Sequence, residues 1–367
     1  MKYKVNLLTV KETLNAQAIN LPLFLNRSLL KEMGINLTFF FTFQNKCYDC
    51  DVLILNSKYF ISHRWKGDRS ELFYFLEKCR EHVGRLLWFD TTDSTGACQF
   101  EVLPYVDGYY KGQVLKNRED YLRKYYGYRI YTDFYHQHYG VEDVEINYKM
   151  EPPEKRYLYK IGISWNSSLG DYNMYLRYLY KLRQLSTLFY FRTVKFTSPQ
   201  KERPVNISCR INKKYHRRTI AFHRERLSEL LMGHFGVSTE KVSPRRYFGE
   251  LKSTKIGISP FGNGEIAYRD FEIIINGAAL FKPDMSHMET WPDLYREDET
   301  CIFFKWDLSD LVEKVDIALK RKFYMSLAEN AQAVYKKYLF THEGHQEFAY
   351  RVKNIVERVL DTSIKER

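Results

Sequence analysis

Cysteine is scarce in this 367-residue chain, and its placement excludes most thiol chemistry. Of Cys47, Cys50, Cys79, Cys98, Cys209 and Cys301, only the first two have redox or metal spacing, and no second CxxC or CxxH completes a zinc site. That scatter predicts a reduced, cytoplasmic protein. Long apolar runs are missing too. Residues 37–43 form one of the longest, far short of the about 20 residues needed to span a bilayer. The opening MKYKVNLLTVKE has no signal-peptide core, so the expectation is a soluble chain, peripheral at most to the inner face of a membrane. No GxGxxG follows the first strand-like segment, which sets aside the dinucleotide-binding fingerprint. Solenoid-length repeats, low-complexity segments and RRM, KH or helix-turn-helix signatures are likewise absent.

Positive charge and aromatic rings are plentiful. A formal net charge of +12 and a pI of about 9.1 imply an anionic partner. Charge alone leaves nucleic acid, an anionic membrane face or a charged small molecule open. The 30 Tyr and 25 Phe suit either a membrane interface or the apolar face of a sugar. At this length two α/β domains are expected.

The most informative stretch is residues 255–284, KIGISPFGNGEIAYRDFEIIINGAALFKPD. Residues 255–259 read as a short strand and 260–264 as a glycine turn. Glu265 onward reads as a helix stopped by Asn276 and Gly277. Glycines allow close backbone approach, and the following helix offers unpaired N–H groups and the positive end of its dipole, a corner that favours phosphate. Apolar residues wrap most of this helix, while Glu265, Tyr268 or Arg269, Glu272 and Asn276 recur at three- and four-residue steps. A buried helix with one polar stripe is expected to line a cleft. The competing reading is an ordinary Glu265–Arg269 ion pair on a half-exposed face. Lys282 and Asp284 follow just past the next short strand, where open α/β sheets bind ligands.

In the first half, residues 3–10, 36–42, 51–56, 85–89 and 159–165 read as strands and 69–82 as an amphipathic helix, a doubly wound pattern. Asp90-Thr-Thr-Asp93-Ser-Thr-Gly96 follows the fourth of these strands. Asp93 is a candidate general base, and Asp90 or Asp93 a candidate metal ligand, against the alternative of a capped turn. The spacing misses Asp-x-Asp of a haloacid dehalogenase phosphatase by one residue. His136 and His138 are two apart, poor spacing for a metal. A helix at 172–188 leads out of the first domain, and the turn-rich 197–204 marks the boundary. A strand at 205–211 opens the second domain. Arg203, Arg210, Lys213, Lys214, Arg217, Arg218 and Arg224 then cluster against Glu202 and Glu225 alone, suited to a diphosphate or to anionic lipid headgroups. Helices are expected at 307–322, 324–338 and 347–360.

Arg210, then Phe222-His223-Arg224 opening a helix, then SPFGNGEIAYRDFE and Phe281-Lys282-Pro283-Asp284 resemble the donor-binding domain of GT-B glycosyltransferases. The resemblance covers about residues 205–345 and is nearest the exostosin-like and bacterial group 1-like branches of surface polysaccharide synthesis, whose pattern falls here on Pro260, Gly262, Arg269, Glu272 and Gly277. It implies an α/β fold of two Rossmann-like domains facing a cleft. Residues 1–190 would bind the acceptor, 191–345 the donor, and a helix in 346–367 would pack back on the first domain. The implied partners are a nucleotide-sugar donor, a saccharide or lipid-linked acceptor and an anionic membrane face, with no nucleic acid, cofactor or metal. Glu272 would accept hydrogen bonds from the nucleotide ribose, Gly264 and the amides near Glu265 would hold the pyrophosphate, and Gly262 would also belong to the donor site. Arg210, His223, Arg224, Arg269 and Lys282 complete the donor set, the arginines stabilising the leaving diphosphate. Asp93 and Glu265 are the catalytic candidates. Two alternatives remain: a metal-dependent phosphoryl-transfer enzyme centred on Asp90 and Asp93, and a non-catalytic polyanion-binding protein.

Overall fold

The computed structural model describes residues 2–61, 69–144 and 150–361. Strands β1 (Tyr3–Leu8), β2 (Ile35–Phe40), β3 (Val52–Asn56), β4 (Arg85–Asp90), β5 (Gly108–Lys111) and β7 (Ile161–Ile163) form a parallel sheet in the order β2-β1-β3-β4-β5-β7, with β6 (Gln113–Leu115) outside it. The reason is legible in β3 and β4. VLILN is buried at every position and RLLWFD at all but its first, as strands covered on both faces must be. Strand order reverses at β1, and such a reversal opens a crevice at the carboxyl edge.

The second sheet, also parallel, is smaller. It runs β12-β10-β9-β8, from β8 (Val205–Ser208), β9 (Thr254–Ile258), β10 (Ala279–Pro283) and β12 (Cys301–Phe304). The two sheets therefore form two Rossmann-like units of unequal size. Strand β11 (Met288–Thr290) leaves the second unit to pair antiparallel with β6, with Met288 opposite Leu115 and Thr290 opposite Gln113. This ribbon stitches the units together.

The chain end crosses back. The helix His342–Asp361 lies against the first sheet: Arg85 Nε donates to the Val359 carbonyl (2.8 Å) and Arg351 Nη1 to the Ile163 carbonyl (3.0 Å). Residues 362–367 of the expected terminal helix lie outside the described residues. One apolar core runs from Val5, Leu7 and Leu87 through Phe348 and Tyr335 to Phe271 and Ile274, joining both units.

Three local expectations change. The helix expected from Glu265 begins only at Tyr268, because Ala267 is extended (φ −123°, ψ 148°) and residues 262–266 form a loop. The strand expected at 205–211 stops at Ser208. Strand β5, GYYK, is too short for its sequence to show a strand pattern and ends in a lysine, yet all four positions are buried.

Candidate active site

Polar side chains from both sheets meet where the two carboxyl edges face one another. Asn15 follows β1, Asp93 follows β4 and Asn166 follows β7, while Asn212 follows β8 and Gly262 and Asn263 follow β9. With the helix Tyr268–Ile275 and residues 241–248 they enclose a cavity of about 790 Å³, the size of a small-molecule site.

The wall from the second unit is cationic. Arg224 is buried, donates from Nε to the Phe261 carbonyl (2.9 Å) and from Nη1 to the Asn212 carbonyl (3.0 Å), and lies 4.5 Å from the Tyr215 ring centroid. Burial lowers its pKa to about 10, which leaves it charged at neutral pH. Arg269 lines the same cavity one residue into the helix, and Arg210 is held there by a two-pronged pair with Glu250, Nε–Oε1 3.0 Å and Nη2–Oε2 2.8 Å. Glu272 is the carboxylate among them. It is half-buried, accepts from the Tyr247 hydroxyl (3.1 Å), and burial raises its pKa against the pull of Arg269 and Tyr247.

The opposite wall presents Asp93, whose carboxylate is exposed. Asn15 Nδ2 donates to Asp93 Oδ1 (2.7 Å), and Asn15 Oδ1 accepts from the Tyr268 hydroxyl (2.5 Å). Asn15 thus bridges the cleft from the acid to the helix Tyr268–Ile275. Asp90 behaves differently. It is buried, its Oδ2 accepts from Lys111 Nζ (3.2 Å) and from the Tyr109 hydroxyl, and its Oδ1 from the Thr92 amide (2.8 Å). Those donors occupy the lone pairs a metal would need, and among the described residues no group of three acidic, cysteine or histidine side chains is arranged to hold one.

Asp93, Arg210, Arg224, Gly262, Gly264, Arg269 and Glu272 line the cavity, and three other site residues do not. Glu265 is corrected most. Rather than sitting on the helix stripe, it is fully buried in the loop before the helix, accepting from the Thr95 amide (3.0 Å) and the Thr95 hydroxyl (2.6 Å) with His287 Nε2 at 3.5 Å. It is a latch between the units, and its distance from Arg269 on the chain no longer implies an ion pair. Lys282 is fully buried, with Nζ donating to the Glu265 carbonyl (2.6 Å) and to Asp270 Oδ1 (3.2 Å), because β10 points it inward. His223 is buried in the second turn of the helix Arg218–Phe235, its Nδ1 2.6 Å from the Tyr135 hydroxyl, and burial lowers its pKa to about 3. Gly264 does border the cavity, yet a Cβ there would stand 1.5 Å from the Asp93 carbonyl oxygen. Close approach of the two loops requires glycine at that position.

Thr95 turns its amide and hydroxyl to Glu265 rather than to the cavity, and this role is testable. Burial opposes ionisation of Glu265, but hydrogen bonds from His287 and Thr95 prevail and hold its carboxyl below the usual range. A depressed carboxyl stabilises the fold above its unfolded pKa of about 4.3, and that stability is lost as pH falls through the folded value. Thr95→Val is expected to destabilise the protein by about 1.5–3 kcal/mol and to move acid unfolding to higher pH, because Glu265 loses a donor. A denaturant and pH titration of the variant checks both. An unchanged acid transition would remove Glu265 as the latch.

The basic cluster at 203–226 is dispersed by the fold. Arg203 is buried, donating to the carbonyls of Thr254 and Asn276, and Arg217 donates to the Gly127 carbonyl. Arg218 pairs with Glu225 (2.7 Å) and Lys213 with Glu240 (2.8 Å). Of the cluster, Arg210 and Arg224 reach the cavity. Asn15, Tyr215 and Tyr247 join the site with no sequence signal beyond being polar residues near strand ends or in the second unit.

No protein-family model and no curated protein matches the chain. Solved structures similar to it include an alpha-glucosyltransferase in complex with UDP-glucose and DNA containing an abasic site (10% identity over 98% of this chain and 100% of that one, TM-score 0.43). Others are Anabaena Alr3699/HepE in complex with UDP-glucose (10%, 99% and 100%, TM-score 0.41) and a glycosyltransferase from Rickettsia africae (9%, 98% and 99%, TM-score 0.41).

Proposed function

We propose that this protein is a glycosyltransferase. It takes a sugar from a nucleotide-sugar donor held by the second unit and passes it to a saccharide or lipid-linked glycan entering along the first, in synthesis of a surface polysaccharide at the inner face of a membrane. The observation that carries this reading is that Glu272, Arg224 and Arg269 line one cavity together. A half-buried carboxylate suits ribose hydroxyls, and guanidinium groups suit the charge that builds on a departing diphosphate. The cations of Arg210, Arg224 and Arg269 take the place a divalent metal would fill, so the reaction is proposed to be metal-independent. Asp93, on the facing wall, is the proposed base for the acceptor hydroxyl.

Phosphoryl transfer centred on Asp90 and Asp93 has less support, since Asp90 is committed to Lys111 and Tyr109. Polyanion binding through the 203–226 cluster has less as well, since several of its cations are paired or buried.

Thermal unfolding against UDP, GDP, CMP and ADP, with and without magnesium, is the test. Stabilisation by one of these nucleotides without magnesium is expected and would name the donor class. No shift with any of them, together with stabilisation by RNA or heparin, would replace the transferase reading by polyanion binding.

A further inference from the structure

The segment that links the two units has an outer face that the fold leaves uncovered. The helix Leu176–Leu185 buries Leu179 and Arg183 on its inner side, where Arg183 Nη2 donates to Asp171 Oδ2 (3.0 Å). Three- and four-residue steps put Tyr178, Lys181 and Leu185 together on the opposite side. Tyr178 is 64% exposed, Leu185 78% and Leu188, just beyond the helix, 86%. Tyr175 and Phe191 extend the same exposed series. Large aliphatic side chains this exposed and this close in sequence mark an interaction surface rather than ordinary scatter.

Charge decides what it meets. No Asp or Glu occurs from residue 172 to 201, a stretch holding Arg177, Lys181, Arg183, Arg192, Lys195 and Lys201. Among the described residues Lys181 and Lys195 form no ion pair and both are exposed. Glu12 lies beside the helix, where its carbonyl accepts from the Tyr180 hydroxyl. We propose that this face, from Tyr175 to Lys195, is a membrane-binding surface that inserts Leu185 and Leu188 between the headgroups of an anionic bilayer while Lys181 and Lys195 meet their phosphates. An apolar rim with interspersed cations and rings is the chemistry of an interfacial helix. A soluble polyanion would use the cations but leave the leucines in water.

The placement has a consequence for the cleft. Met174, Leu176 and Arg177 line the cavity from the same segment, so a chain seated on a bilayer by this face opens its acceptor side next to the lipid surface. That part rests on the transferase reading and names a lipid-anchored acceptor. The membrane contact itself does not depend on it.

The test is co-sedimentation of the full chain with vesicles of phosphatidylcholine alone and of phosphatidylcholine with about a third phosphatidylglycerol. The wild-type chain is expected to partition to the anionic vesicles at least about tenfold more than to the neutral ones. Leu185→Glu with Leu188→Glu should abolish that partitioning. Lys181→Glu with Lys195→Glu should reduce it and make the remainder less salt-dependent. Both pairs are exposed, so melting temperatures should match wild type. Equal partitioning of wild type and both variants, or none by wild type, would overturn the proposal. A concentration-dependent dimer lost in Leu185→Glu/Leu188→Glu, without vesicle binding, would assign the face to a second copy of the chain. Nucleotide-induced stabilisation in solution is measured without lipid, so its failure and failure of the vesicle experiment are read separately.

Discussion

Replacing Glu272 by alanine is expected to abolish binding of the nucleoside diphosphate while leaving the protein folded. The side chain is half-buried on the cavity side of the helix Tyr268–Ile275, and within the protein its carboxylate accepts from Tyr247. Removing two charge-assisted hydrogen bonds to a ribose corresponds to a loss on the order of 10²-fold in affinity. The effect on folding has the opposite tendency. Burial raises the Glu272 pKa, so the folded state favours the protonated form. The stability associated with that proton is fully present below the unfolded pKa of about 4.3 and is lost as pH rises through the folded value. At neutral pH the ionised side chain therefore destabilises the fold. Glu272→Gln, which never ionises and keeps the Tyr247 contact, should melt no lower than wild type at neutral pH and still lose most of its nucleotide affinity. Such a trade between stability and binding is characteristic of a functional position. Calorimetric titration of both variants decides it, and wild-type affinity in either would remove Glu272 from the donor site.

Asp93→Asn is expected to leave nucleotide binding intact and lower turnover on the order of 10²-fold or more. The substitution is clean. Asparagine keeps the Oδ1 that accepts from Asn15, so the bridge from Asp93 through Asn15 to Tyr268 survives, and only the proton-accepting capacity is lost. Single-turnover measurement with a fixed acceptor separates the two outcomes. Full activity would make the 90–96 loop a structural contact, in keeping with the approach of Gly264 to the Asp93 carbonyl.

These two residues were visible in sequence for different reasons. Glu272 was found from helix periodicity: the pattern of apolar residues around it left a narrow polar stripe, and the fold does turn Tyr268, Arg269 and Glu272 toward the cavity. Asp93 was found from its position after a strand, which is where parallel sheets place their loops. The errors also have a common cause. Glu265 and Lys282 are charged, so sequence reading assigned them to a ligand, whereas each had already been matched by another part of the chain. Glu265 meets Thr95, 170 residues away, and Lys282 meets Asp270. A charge that is satisfied internally looks the same in sequence as one that awaits a ligand.

By itself the sequence determined the α/β class, the strands whose apolar runs are buried on both faces, the glycine turn after β9 and the polar stripe of the helix that follows. Those are local properties, fixed by periodicity and by the geometry of glycine. Tertiary structure decided which of the basic residues at 203–226 face the cavity, because neutralisation by Glu240, Asp143 and the Thr254 carbonyl depends on segments outside that cluster. It also decided that Asn15 spans the cleft and that β6 and β11 tie the units together. Long-range pairing of this kind leaves no trace in local periodicity, since a hydrogen bond between residues 253 positions apart is specified by the whole fold.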